Sequence, residues 1–221
     1  MKIVVVVAPH PDDETLGCAG TLLRHIAEGD QVHWLIITNM AKSKNYSQVE
    51  ITTRQNEISQ VSKLFGFNST VQFNFLPAAL TESDKGELIS QLADVFNTLS
   101  ANIVYLPYKF DVHSDHQIVA DCVVSATKRF RQPSIESLFA YETISETDYN
   151  LISQNSFLPN YFVDISPFIQ KKLNIMQCYK SEILAFPFPR SEKAIEALAS
   201  IRGAQAYVEA AEAFVLLKQV R

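Results

Sequence analysis

The chain has 221 residues, a formal net charge of −5, 47% apolar residues and 19% charged ones. That balance belongs to a soluble globular protein long enough to bury one sizeable core, and it predicts a single domain over residues 1–221. The acidic total and the scattered basic residues exclude an electrostatic draw to nucleic acid or to an anionic membrane.

Strand-like and helix-like segments alternate from the start. Residues 3–8 are continuously apolar and β-branched, as in a strand covered on both faces. Residues 16–27 carry apolar side chains at helical spacing, and Gly29-Asp30 ends them. Residues 32–38 predict a second strand. Residues 47–64 predict a helix opened by Ser47 and Glu50 in a capping-box pattern and closed by Gly66. Strands follow at residues 71–76, 103–106, 137–142 and 161–165, and helices at residues 88–99, 117–127, 167–181 and 192–218. Strands separated by helices of this length imply βαβ crossovers, hence an α/β fold with a mostly parallel sheet. Apolar runs all fall short of a membrane span. The widely spaced Cys18, Cys122 and Cys178 show no disulfide framework, which predicts a reducing, cytoplasmic setting. The oligomeric state stays open, a homo-oligomer included.

Chemistry gathers where strands end. The first strand runs into His10, Pro11, Asp12, Asp13 and Glu14, and the strand at residues 103–106 runs into DVHSDHQ, with His113, Asp115 and His116. In an open parallel sheet both loops lie at the carboxyl rim, where ligands bind. The chain has no GxGxxG after its first strand and no GxxxxGK[ST], so a nucleotide site loses its main support. Buried neighbouring acids repel each other and call for a positive charge. A dication answers, and nitrogen with oxygen ligation suits zinc, with Mn, Fe, Co and Ni as alternatives. Taken singly, Asp12 and Asp13 also read as helix caps, and His113 and His116 as a solvated helix start. Their conjunction at two strand ends favours the metal. Asn39, Tyr141, Glu142 and Arg190 are unassigned candidates for the rim.

At these residues the chain resembles the LmbE-like, or PIG-L, zinc-dependent de-N-acetylases. The segment APHPDDETLGCAGTL resembles the family's first signature, and His113-Ser114-Asp115-His116 resembles the H-x-D-H stretch of its second. TTRQNEISQVSKLFG and the ending IRGAQAYVEAAEAF also fit, so the resemblance runs most of the length. It implies a Rossmann-like, three-layer α/β/α fold, one zinc per chain, and removal of an N-acetyl group from an N-acetylated amino sugar or sugar conjugate. It implies His10, Asp13 and His116 as metal ligands and Asp12 as general base. His113 then stabilises the oxyanion and protonates the leaving amine, with Asp115 as its orienting partner. Arg54 becomes a substrate-binding residue, whereas spacing alone makes it one half of an i,i+4 pair with Glu50. Two rivals from other classes are a metal phosphoesterase and a non-catalytic sugar-binding protein. The first needs more ligands than the sequence offers, and the second predicts a lost base or ligand.

Overall fold

In the computed structural model, residues 1–220 are described; Arg221, the last residue of the predicted domain, lies outside them. The elements run β1 (Ile3–Ala8), α1 (Asp13–Ala27), β2 (Gln31–Thr38), α2 (Gln48–Phe65), β3 (Ser69–Phe75), α3 (Lys85–Leu99) and β4 (Ile103–Pro107). They continue with α4 (Ser114–Ala126), β5 (Ser137–Tyr141), β6 (Tyr161–Asp164), α5 (Ile169–Met176), α6 (Glu192–Ala206) and β7 (Ala211–Gln219). One seven-stranded sheet has the order β3-β2-β1-β4-β5-β7-β6. β1 to β5 are parallel, and β7 is antiparallel to both of its neighbours.

The two faces of β1 show why its sequence is apolar throughout. Val4, Val6 and Ala8 join a core with α1, α2, α5 and α6, while Val5 and Val7 join one with α3 and α4. Alternate side chains of a strand point to opposite faces, so a strand between two helical layers needs both faces apolar. The α/β fold read from the alternation, and the three layers that the resemblance implies, are therefore the observed arrangement. The capping box at Ser47 and Glu50 also forms. Gly17 lets α1 lie close to the sheet, since a Cβ there would fall 2.3 Å from the buried Tyr141 ring.

The C-terminal third departs from expectation. Residues 192–218 form a helix and a strand instead of one helix. The helix ends at Ala206, Tyr207 takes a left-handed conformation, and Gly203 packs on the backbone of residues 208–210. The apolar run from Ala211 to Phe214 is then buried between β5 and β6. An apolar run this short does not distinguish a buried strand from a buried helix by periodicity. The charge within it is Glu212, whose carboxylate accepts the Gly20 and Thr21 backbone N–H groups and meets Lys172 Nζ at 2.7 Å. The helix predicted at residues 167–181 is also shorter, ending at Met176. Between α5 and α6 the chain forms a loop that carries Glu182 and Arg190.

Candidate metal centre and active site

The carboxyl ends of β1, β4 and β5 bring three loops to one rim. From the first come His10, Asp12 and Asp13. Asp13 is buried, and its Oδ2 lies 3.4 Å from His10 Nδ1 and 3.3 Å from His116 Nε2. These three residues offer ligand atoms within 4.8 Å of one another. Each histidine turns its other nitrogen to a carboxylate: His10 Nε2 meets Asp115 Oδ2 and His116 Nδ1 meets Asp111 Oδ2, both at 2.9 Å. Outer carboxylates of this kind fix ring orientation and tautomer for a metal ligand. Two imidazole nitrogens and one carboxylate oxygen, aimed at one place, are the donor set of an open metal site.

Electrostatics also call for a cation there. Burial opposes charge on every group, yet His116 and His10 hold the Asp13 carboxyl well below its usual range. Burial likewise opposes the His10 imidazolium, but bonds to Asp115 and Asp13 raise it to about 9. Asp13 and Asp111 carry His116 up to about 10 against the same penalty. Asp12 rises to about 8, pushed first by burial and then by Asp13, with Arg190 pulling the other way.

Asp12 and Asp13 are adjacent but face different ways. Asp12 has φ 134°, a conformation that L residues rarely adopt, and its side chain makes no capping bond to α1. Strain of this sort costs on the order of 1–3 kcal/mol and clusters at functional sites. It directs the carboxylate into a cavity of about 250 Å³, which His10, Arg54, His113, Glu146 and Arg190 also line. That volume sits just under the usual range for ligand pockets, about 300–1,000 Å³, and suits the reacting end of a ligand.

His113 opens α4 as its N-cap, and its Nδ1 accepts the Asp115 backbone N–H at 3.1 Å. In the neutral ring the proton therefore sits on Nε2. Burial, then the neighbouring His10 and His116, lower its pKa to about 4. The expected pairing of the Asp115 carboxylate with His113 is not seen. That carboxylate is taken by His10 and by the backbone N–H groups of Ala78 and Leu80. Asp115 meets the His113 ring through its main-chain N–H.

Arg54 is buried in the pocket wall and does not pair with Glu50. Its Nη1 donates to Pro11 O at 2.8 Å, its Nη2 to Glu182 Oε1 at 2.5 Å and to Ser181 Oγ at 3.1 Å, and Nε lies 3.2 Å from Glu57. One Nη1 hydrogen is left for a ligand, since a guanidinium has five. Of the four unassigned rim candidates, Arg190 enters the pocket. Tyr141 is buried with its hydroxyl on Val7 O, Glu142 pairs with Arg202, and Asn39 caps a short turn. Residues 108–116 supply one further residue that the sequence reading leaves unassigned, Asp111. It is buried, and Thr147 Oγ donates to its Oδ1 at 2.6 Å. Its place five residues before His116, in the same His/Asp-rich loop, is the signal that marks it. The remaining histidines serve structure, His25 bridging Asp30 and Tyr105 and His33 meeting Ser69.

Comparison with known proteins gives the family and the fold. A model of the PIG-L family, described as GlcNAc-PI de-N-acetylase, matches residues 5–127. The diacetylchitobiose deacetylase of Thermococcus kodakarensis is 24% identical over 82% of this chain and 70% of its own length. Among solved structures, the conserved protein TT1542 of Thermus thermophilus superposes with a TM-score of 0.79 and 28% identity, over 100% of this chain and 97% of its own. GalB, the 4-carboxy-2-hydroxymuconate hydratase of Pseudomonas putida, gives a TM-score of 0.77 at 17% identity over 100% and 98%. That last likeness is one of fold alone, and a fold can carry more than one chemistry. The family match spans more than half of the 221 residues and includes both His/Asp loops. The chain belongs to the PIG-L, or GlcNAc-PI de-N-acetylase, family.

Proposed function

We propose that residues 1–221 form one domain that removes an N-acetyl group from an N-acetylated amino sugar or sugar conjugate, using one zinc ion held by His10, Asp13 and His116. The observation that carries this reading is the meeting of those three donors with the carboxylate of Asp12 and the ring of His113 at one pocket. A bound dication would acidify a water molecule and polarise the amide carbonyl. Asp12 accepts the proton of the attacking water as general base. His113 donates from Nε2 to the oxygen that gains charge in the transition state, the geometry of an oxyanion donor. Asp12 then passes that proton to the amide nitrogen, and the C–N bond breaks to release free amine and acetate. Asp115 keeps the His10 ring turned inward, and Arg54 offers its spare hydrogen to a sugar hydroxyl from the wall. Both pocket arginines already meet carboxylates of the protein, which supports an uncharged sugar at the reacting end.

Three free cysteines support a reducing, cytoplasmic setting. Among the described residues, no helix is long and apolar enough to cross a membrane. A two-metal phosphoesterase is disfavoured because the second His/Asp grouping, His10 with His113 and Asp115, shares His10 with the first. Its Asp115 carboxylate is also bonded to backbone.

The deciding experiment is a screen of N-acetylated amino sugars for acetate release, with and without a chelator. Chelator-sensitive acetate release supports the reading. Activity on phosphate esters or on unsaturated acids, with no acetate, would replace it.

A further inference from the structure

Asp12 does not stand alone in the pocket. Arg190, from the loop between α5 and α6, donates from Nη1 to Asp12 Oδ2 at 2.7 Å. The guanidinium is itself held on its remaining sides. Nε donates to Ser145 Oγ at 2.7 Å, Nη2 to Glu146 Oε1 at 3.2 Å, and Nη1 also lies 3.4 Å from Glu182 Oε2. Its side chain is 17% exposed. Among the described residues Asp12 Oδ1 has no bond to a protein group, and Asp12 lines the pocket.

We propose that Arg190 is a positioning residue: it anchors one oxygen of Asp12 so that the other faces the reacting centre. The terminal torsion of an aspartate is soft, so a carboxylate with no anchor samples a broad range of orientations. A planar guanidinium fixed through several nitrogens removes that freedom, which a lysine ammonium on a flexible stem does less well. Ser145 and Glu146 follow β5, and Glu182 and Arg190 share the loop after α5. Arg190 thus ties the base to two segments distant from it in sequence. This inference rests on Asp12 acting as general base in the deacetylation proposed above.

The test uses the full chain as Arg190→Gln, Arg190→Lys and Arg190→Ala, each also combined with Asp12→Asn. Metal per chain, kcat and KM for acetate release, and melting temperature are measured. A misplaced base costs about 100-fold, so Arg190→Gln is expected to lower kcat by about that factor, with KM and metal content little changed. Arg190→Lys should recover part of the rate, and added guanidinium ion should restore Arg190→Ala. In the Asp12→Asn background, loss of Arg190 should cause no further fall. A raised KM with unchanged kcat would overturn the proposal by making Arg190 a substrate contact. An equal fall in both backgrounds, or lost activity that neither lysine nor guanidinium recovers, would also overturn it, by making its role structural. A wild-type chain without acetate release, or Asp12→Asn at the wild-type rate, would instead sink the deacetylase reading and this inference with it. A normal Asp12→Asn defect beside an unimpaired Arg190→Gln overturns the inference alone.

Discussion

Asp111 Oδ2 meets His116 Nδ1 at 2.9 Å inside the protein, where Asp111 is fully buried. Thr147 Oγ donates to the other oxygen of the same carboxylate. His116 is therefore oriented from behind by a residue that never reaches the pocket. Replacing such a partner typically lowers metal affinity or activity about 10–100-fold. Asp111→Asn is expected to weaken zinc affinity by that factor, with the fold retained, as competition with a chromogenic chelator would measure. Unchanged affinity would mean that His116 needs no such support.

The two histidines of the second loop should separate cleanly. His116 Nε2 points at Asp13, whereas His113 is an N-cap whose Nδ1 is already occupied. His116→Ala should lose its metal. His113→Ala should keep it and lose about 100–1,000-fold in kcat, the usual effect of removing one oxyanion donor. Metal content by atomic emission, beside acetate release, tells them apart. Equal metal content in the two variants would contradict the assignment.

The buried pair of Lys172 and Glu212 makes a prediction about stability. It joins α5 to β7 and, through Gly20 and Thr21, to α1. Removing one member of a buried pair strands the other and costs about 3–5 kcal/mol. Glu212→Gln should lose that much in urea unfolding, while zinc binding at the folded site persists. A loss under about 1 kcal/mol, the range of an exposed pair, would show that water reaches Lys172.

The parallel sheet and both His/Asp loops are legible in the sequence because each has a local cause. Val4 to Val7 are apolar at every position since both faces are covered, and His10 with Asp13, or His113 with His116, lie within one turn of chain. The rest depends on long-range contact. Arg190 reaches Asp12 from 178 residues away in sequence, and no spacing rule joins them. Glu212 looks like a polar position of a helix until β7 carries it against α1. Asp115 is expected beside His113, but its carboxylate meets His10 instead, because the partner is settled by which ring the first loop places beside it.

On the proposed reading, two adjacent acids divide the work at the centre of the site. Asp13 lies between the two histidine nitrogens, while Asp12 faces the pocket beside Arg190. Asp12→Asn keeps shape and removes basicity; Asp13→Asn removes an anionic ligand. The most direct test measures zinc per chain and steady-state acetate release for both variants. Asp12→Asn should retain its zinc and lose about 100–10,000-fold in kcat, the range of a positioned general base, whereas Asp13→Asn should lose zinc first. Asp12→Asn without zinc beside Asp13→Asn with it would reverse the two roles, and wild-type turnover by Asp12→Asn would show that this carboxylate is not the base.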